Sequence, residues 1–410
     1  MINVKLNLEG KTYFVGQLLK ADHGVYFQYD KTFIKTGLQL SPLKLPLNDQ
    51  VYKAPEMPFN KLQGVFADSL PDGWGLLLMD RYLKQQGIDI QTVTPLDRLL
   101  YVGSTAMGAL IYEPDLSNTP KNFNDRALDL YALSIEAEKV YAGSMDDVLP
   151  ELLMAGTSPG GARPKIIVGI KDEQIVSGEH ELPEGYESWL IKLHTKQHSE
   201  EGLIEEAYAQ LLRKSGINMP ETKILHANDK QFFAVKRFDR YQNKRLHVHS
   251  LAGLAHANFR AFDFDYEQFL KLTFLLTKNS SDVEQAFRQM VFNILAVNRD
   301  DHTKNFSFIM NAKGEWRLSP AYDVTFNLGQ NNEQSMSVSG YGKNIPAKIF
   351  YQLGENLEID AERVRQVFSE INEALTHWRS TAKSLGIANE TIQSIQKQMD
   401  AQFKLYRSLA

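Results

Sequence analysis

The sequence predicts an α+β fold in two lobes, with strands concentrated in front and helices behind. Three observations carry this. Residues from Ile2 to Lys53 alternate apolar and polar side chains and carry turn residues at Glu9-Gly10 and Asp22-His23-Gly24, the pattern of an antiparallel sheet. From Tyr266 onward the apolar spacing is mostly helical, with one turn-rich interval, Gly329–Asn344. Between an amphipathic run, Val283–Val297, and a strand-like run, Ser307–Met310, lies a polar loop reading N-R-D-D-H-T-K-N-F, Asn298–Phe306. A loop fixed between two packed elements is well placed to aim polar groups at a substrate.

Composition narrows the classes. The chain has 410 residues, 43% of them hydrophobic and 23% charged, as expected of a folded globular protein of two or three domains or one large bilobal one. A formal charge of −5 argues against nonspecific nucleic-acid binding by the whole surface. With no cysteine, disulfides, thiolate metal sites and a cysteine nucleophile are excluded. The N-terminus lacks the apolar core of a signal peptide. No stretch approaches the roughly 20 apolar residues of a membrane span. A soluble, cytoplasmic protein without membrane partners is the expectation.

The elements follow in order. After the front sheet, Phe66–Gly75, F-A-D-S-L-P-D-G-W-G, reads as a turn-rich breaker ahead of a helix, and a second helix is expected near Pro95–Val102. Leu116–Asp125 is polar, carries Pro120 and reads as a linker. Helices are expected over Leu128–Val140 and Met145–Leu153. Met154–Val168, M-A-G-T-S-P-G-G-A-R-P-K-I-I-V, holds Gly156, Gly160 and Gly161, which free the backbone to turn its N–H groups onto anionic oxygens. It is neither a Walker A sequence nor G-x-G-x-x-G, and a plain turn beside a strand is the alternative. W-L-I-K-L-H places Lys192 among apolar neighbours on a strand, where a lysine contacting phosphate or one reaching out from a sheet edge would both fit. A helix over Leu203–Lys214 opens with Glu205 and Glu206.

Gln231–Arg240 reads as a further strand ending in charge. Lys236, Arg237, Arg240, Lys244 and Arg245 form a basic cluster, better suited to a solvated face or structural ion pairs than to nucleic acid. His247 and His249 would share a strand face, as polar neighbours of a turn more readily than as a metal pair. A last long helix is expected over Asn389–Leu409.

Chemistry concentrates in two polar breaks. The loop gives Asp300 and Asn305 in the spacing D-x-x-x-x-N, and L-S-P-A-Y-D-V-T-F then supplies Asp323. Phosphoryl transfer uses these types in this order: an aspartate at the attacking hydroxyl, then an asparagine and an aspartate whose oxygens hold magnesium on the ATP phosphates. A helix-capping loop with a solvated Asp pair is the competing reading. The serial order matters more than any one motif. Sheet, Gly loop, strand lysine, helix glutamate, hinge-like strand, D-x-x-x-x-N and Asp together predict a bilobal, protein-kinase-like α+β fold. Its β-rich N-terminal region carries an extra N-terminal subdomain, and its C-terminal lobe is mostly helical. The expected domains are 1–120, 121–240 and 241–410.

In these residues the chain resembles the HipA family, serine/threonine-kinase toxins of bacterial type II toxin–antitoxin systems. The likeness is carried by F-A-D-S-L-P-D-G-W-G, G-A-L-I-Y-E-P, S-P-G-G-A-R-P-K, W-L-I-K-L, V-K-R-F-D-R, N-R-D-D-H-T-K-N-F and L-S-P-A-Y-D-V, in family order over nearly the whole chain. The resemblance implies Asp300 as catalytic aspartate and His302, Thr303, Lys304 and Asn305 as nucleotide and metal contacts. Asn305 and Asp323 would be magnesium ligands, with Tyr322 beside Asp323. Lys192 would anchor phosphate, with Glu205 as its ion-pair partner and Glu206 fitting nearly as well. Gly160, Gly161, Ala162, Arg163, Pro164 and Lys165 would line the phosphate loop, and Lys236, Arg237 and Phe238 the adenine hinge. Ser158 aligns with a self-phosphorylated serine whose modification in the family is linked to loop ejection. Here Pro159 and Pro164 stiffen that loop, which opposes ejection.

The implied cofactors are ATP and Mg2+. The implied partners are a protein substrate, for which an aminoacyl-tRNA synthetase is one class, and a HipB-type helix-turn-helix antitoxin through which DNA would be met indirectly. The rival expectations are a small-molecule kinase and a largely non-catalytic corepressor bound to a DNA-bound antitoxin.

Overall fold

The computed structural model describes residues 1–21, 24–117, 127–143, 148, 150–156, 161–178, 180–193, 200–261 and 263–409. The chain divides into two units: Met1–Ser199 with Lys223–His256 and Ile309–Glu315, and Glu200–Thr222 with Ala257–Phe308 and Trp316–Ala410. The expected α+β class is borne out. Ser158 and Gly160, and most of the Leu116–Asp125 segment, lie outside the described residues.

The first unit holds two five-stranded sheets. One comprises β1 (Ile2–Leu8), β2 (Lys11–Ala21), β3 (Gly24–Tyr29), β4 (Val51–Lys53) and β5 (Leu110–Glu113), in the order β4-β3-β2-β1-β5. Its pairs are antiparallel, as the alternation predicts. Ile2, Val4, Leu6 and Leu8 of β1 all face inward, because side chains alternate across a strand. Short helices α1 (Lys31–Ile34) and α2 (Gly64–Ala67) precede α3 (Gly73–Gln85) and α4 (Pro95–Val102). A Thr94–Asp97 capping box and Pro95 in the first turn start α4 at the residue the sequence gives for it.

The second sheet comprises β6 (Lys165–Lys171), β7 (Gln174–Ser177), β8 (Glu187–Lys192), β9 (Thr222–Ala227) and β10 (Lys230–Lys236), in the order β7-β6-β8-β10-β9. Six consecutive residues of β6 are buried, so both of its faces are covered. The core joins this sheet to α3, α5 (Leu130–Tyr141) and α6 (Pro150–Gly156) through Trp74, Leu78, Leu133, Leu152, Ile166 and Trp189. Each such large apolar side chain contributes about 2–3 kcal/mol by leaving water. The unit ends in β11 (Arg240–Tyr241), β12 (Lys244–Arg245), β13 (His247–Ser250) and α8 (Leu251–Ala255).

Two expectations are corrected here and a third falls partly outside the described residues. Phe66–Gly75 is not all breaker: α2 ends at Ala67 and α3 starts at Gly73, because Asp72 is extended as an N-cap and the glycines allow close packing. Of the helix expected over Met145–Leu153, residues 145–147 and 149 lie outside the described residues, and Pro150–Gly156 is helical as α6. The strand expected over Gln231–Arg240 leaves the sheet after Lys236, because the Arg237 guanidinium folds back onto Asp239 in two hydrogen bonds of 2.9 and 2.7 Å.

The second unit is largely helical: α7 (Glu201–Lys214), α9 (Tyr266–Thr277), α10 (Ser280–Leu295), α11 (Ala347–Asn356), α12 (Ala361–Thr376), α13 (Trp378–Ser384) and α14 (Asn389–Tyr406). Strand β14 (Ser307–Met310) follows the polar loop, and β15 (Trp316–Leu318) returns beside it, Ser319 N donating to Ser307 O at 2.9 Å. Asn279 caps α10 by accepting from Ser281 N and Asp282 N. The helix is then buried almost all round, which sets the polar loop at a fixed end. Glu200 accepts from Ala388 N and Thr391 Oγ1, both at 2.6 Å, and ties the start of α7 to that of α14.

Candidate active site

The second unit aims the Asn298–Phe306 loop. Residue Val297, β-branched and fully buried, has φ +58°, a left-handed conformation that costs about 1–3 kcal/mol. Neighbours hold it there. Asn327 N donates to Val297 O at 2.9 Å, Arg299 N donates to Asn327 O at 3.0 Å, and Tyr208 Oη donates to Ala296 O at 2.5 Å.

Beneath the loop lies a buried polar network. Asp301 is fully buried and accepts from Tyr266 Oη at 2.6 Å, Gln334 Nε2 at 2.9 Å and Ser335 N at 2.7 Å. Asn293 Nδ2 donates to Tyr266 Oη, and Gln334 Nε2 also reaches Asn298 O at 3.0 Å. Burial pushes the Asp301 carboxyl up to about 6, and those three donors pull the other way.

Its neighbour Asp300 points outward, with a side chain 53% exposed and Oδ1 3.9 Å from His302 Nε2. Thus one aspartate of the pair anchors the loop and the other is presented by it. Asn305 Nδ2 donates to Asp300 O at 2.7 Å, which commits the amide nitrogen and leaves Oδ1 as the oxygen for a cation. Lys304 Nζ lies 4.6 Å from the centre of the Phe259 ring, whose centroid is 5.7 Å from that of His302. Tyr322 Oη donates to Lys304 O at 2.7 Å and lies 2.6 Å from Ser307 Oγ, so its hydroxyl ties the loop to β14. Asp323 sits at φ +54°, a conformation that short polar side chains such as Asp and Asn tolerate better than most. His302 Nδ1 and Thr303 Oγ1 are buried with no hydrogen-bond partner among the described residues, an arrangement a ligand or water would complete.

A carboxylate at 323 and an amide oxygen at 305 are hard donors of the kind magnesium takes, and so the donor set fits that ion. Among the described residues no group of three or more His, Asp or Glu side chains forms a metal cage by itself.

The first unit carries the other expected residues. Lys165 and Lys192 are direct cross-strand partners at the end of the β6–β8 ladder, so their side chains leave the same face. Lys165 is buried, Lys192 half-buried, and Lys192 Nζ lies 5.9 Å from the centre of the Phe233 ring. Gly161, at φ +95°, lies against the Lys165 ammonium: a Cβ there would come within 2.3 Å of Nζ. Ala162 and Arg163 continue the turn, and Pro164 O accepts from Leu193 N at 2.8 Å, extending the ladder. β8 is the middle strand of its sheet, and Lys192 is therefore not on an edge.

At the expected hinge, Lys236 Nζ meets Glu187 Oε1 at 2.5 Å and the Arg237 N–H donates to Ser188 O at 2.9 Å. Arg237 and Arg240 enclose buried Asp239, with Arg240 reaching Gly108 O and Ala106 O. Burial pushes Asp239 up, and the two guanidiniums more than offset it, holding the carboxyl well below its usual range. These members of the basic cluster are structural ion pairs. Phe238 follows in the turn to β11. On α7 both Glu205 and Glu206 are buried, but Glu206 is tied to Gln210 at 2.9 Å and lies 3.7 Å from Arg213. Glu205 belongs to the second unit and Lys192 to the first.

Sequence reasoning missed one constellation. His249 Nδ1 meets Asp68 Oδ2 at 2.6 Å, and His249 Nε2 meets Ser41 Oγ at 2.9 Å. This is the connectivity of a Ser-His-Asp hydrolase, yet Ser41 and His249 are 1% and 0% exposed. No substrate reaches a hydroxyl so buried, and the triad is structural. His247, its ring centroid 6.3 Å from that of His249, meets Leu40 O at 3.0 Å.

Residues 7–113 match the family model of the HipA N-terminal domain and residues 157–403 that of the HipA-like C-terminal domain. HipA of Shewanella oneidensis MR-1, solved with HipB and its operator DNA, superposes with a TM-score of 0.73 over 99% of this chain and 97% of that one, at 16% identity. The provisionally named kinase Y4dM of Sinorhizobium fredii is 25% identical over 253 residues, 54% of this chain and 59% of that protein. A provisionally named kinase of Haemophilus influenzae is 27% identical over 183 residues, 41% of this chain and 52% of that protein. The chain thus spans little more than half the length of these curated relatives. With both domain models matched in order along one shared fold, the chain belongs to the HipA family.

Proposed function

We propose that this chain is an ATP- and magnesium-dependent serine/threonine protein kinase, the toxin partner of a type II toxin–antitoxin module. The observation that carries the reading is the division of labour in the Asp300–Asp301 pair: a buried anchor presents an exposed carboxylate next to Asn305 and ahead of Asp323. Asp300 orients the attacking hydroxyl and accepts its proton. Asn305 and Asp323 hold magnesium, which neutralises charge on the phosphates when bound. Lys192, Lys165 and the backbone of the 160–165 loop supply positive charge and N–H donors for phosphate oxygens. The rate gain is positioning plus electrostatics, with no covalent enzyme intermediate.

Two relatives that share about a quarter of their aligned residues with this chain are provisionally named kinases, which supports the activity class. The Shewanella protein was solved with HipB and operator DNA, which supports a helix-turn-helix antitoxin as partner. The protein substrate is proposed to be a translation factor such as an aminoacyl-tRNA synthetase, and Ser158 the site of self-phosphorylation.

The test is intact-protein mass after incubation with MgATP, for wild type and Asp300→Asn, followed by peptide mapping. One added phosphoryl group at Ser158, absent from the variant while ATP binding persists, is the expected result. A wild-type rate of transfer in Asp300→Asn would remove the base assignment.

A further inference from the structure

Three observations converge on the turn Asp72-Gly73-Trp74, none of which the proposed reaction uses. The Asp72 carboxylate caps no amide of its own helix α3 and instead accepts from the backbone N–H of Gly161. Trp74 N donates to Gly161 O at 3.0 Å, and the Trp74 indole Nε1 donates to Lys165 O at 3.0 Å. Gly73, at φ +43°, lets the two backbones touch: a Cβ there would fall 2.4 Å from Ala162 Cα and 2.6 Å from Gly161 O. Trp74 is 1% exposed, so the indole that makes these contacts has little room to move. It also backs Gly156, where a Cβ would come within 3.1 Å of Nε1.

We propose that Asp72, Gly73 and Trp74 are positioning residues that set the backbone of Gly161–Lys165 for a nucleotide's phosphates. The assignment rests on the phosphotransferase reading above and deepens it. The two ends of the stretch are gripped separately: Gly161 by its N–H and its C=O, Lys165 by its C=O. That fixes the start of β6 and hence the register that places Lys165 opposite Lys192. A loop offering N–H donors to an anion binds best when its conformation is fixed in advance, because the ordering cost is not charged to the ligand. Asp72 performs this without touching the ligand itself.

The experiment compares wild type, Asp72→Ala and Asp72→Asn, the last keeping one carbonyl oxygen as acceptor. Two quantities are read: hydrogen–deuterium exchange of a peptide covering 161–168, and MgATP affinity by calorimetry. Asp72→Ala is expected to speed exchange locally and to weaken MgATP binding about tenfold, with turnover at saturation changed less than twofold. Asp72→Asn is expected to restore both. Unchanged exchange in Asp72→Ala would overturn the proposal, as would faster exchange with unchanged MgATP affinity. Faster exchange over all of the first unit would mark a folding defect and overturn the local assignment. Wild type that binds no MgATP would overturn the kinase reading itself and the nucleotide role of the turn with it, an outcome distinct from a failure confined to the variants.

Discussion

Tyr266 Oη donates to Asp301 Oδ2 at 2.6 Å, with both side chains fully buried. This single bond connects the first residue of α9 to the base of the Asn298–Phe306 loop. Tyr266→Phe removes one of the three donors to Asp301 and is expected to lower stability by about 1–3 kcal/mol, measured by urea unfolding at pH 7. A loss below about 0.5 kcal/mol would show that Gln334 and Ser335 suffice.

The same carboxyl gives a pH signature. Burial raises Asp301 from 3.8 to about 6, and so the folded chain binds this proton more firmly than the unfolded chain. Its contribution to stability is complete below about pH 4 and is lost as pH rises through about 6. Asp301→Asn cannot titrate. The stability of wild type relative to that variant should therefore fall by about 2–3 kcal/mol between pH 4 and pH 7. A difference that stays flat or grows over that interval would contradict the assignment.

Magnesium use should separate from folding at Asp323. Asparagine has the same shape and also tolerates a left-handed backbone, so Asp323→Asn should unfold within about 0.5 kcal/mol of wild type. Its magnesium-supported ATP affinity should fall about tenfold or more, read by titrating MgCl2 at fixed ATP. Equal magnesium dependence in the two proteins would remove Asp323 from the ligand set.

Lys192→Met keeps the apolar stem and deletes the charge. ATP affinity should drop about tenfold, and the salt dependence of binding should become shallower, since one cation fewer faces the phosphates. The comparison needs titrations at two ionic strengths, and parallel salt slopes would argue against a phosphate contact.

Ser41→Ala tests the buried triad. It leaves His249 Nε2 without its hydroxyl and should cost about 1–3 kcal/mol in stability. Phosphoryl transfer should be unchanged at a temperature where the variant is folded. A hydrolytic activity present in wild type and lost in the variant would overturn the structural reading.

Local patterns announced much of this molecule. The alternation in β1 and β3 and the helix near Pro95–Val102 are each contained within a few residues, and each reappears in the structure. Long-range partnership was hidden. Asp301 is indistinguishable from Asp300 in the sequence, because its partners Tyr266, Gln334 and Ser335 lie 35, 33 and 34 residues away. Gly73 read as a turn former, since nothing near it in sequence announces a backbone from residue 162 pressed against it. The left-handed Val297 ran against its propensity, and distant contacts from Asn327 and Tyr208 hold it. For Arg237 the sequence left a solvated face and a structural ion pair open, and its acceptor Asp239, two residues away and turned inward with it, decides for the pair.

The pairing of Lys165 with Lys192 reaches beyond binding. Neighbouring residues on a strand face opposite ways, so a slip of one position between β6 and β8 would send the two ammonium groups to opposite sides of the sheet. A polyanion that engages both at once recognises a single alignment of the ladder. Nucleotide would then act as a selector during folding, drawing chains with misaligned strands back toward the one alignment it can bind.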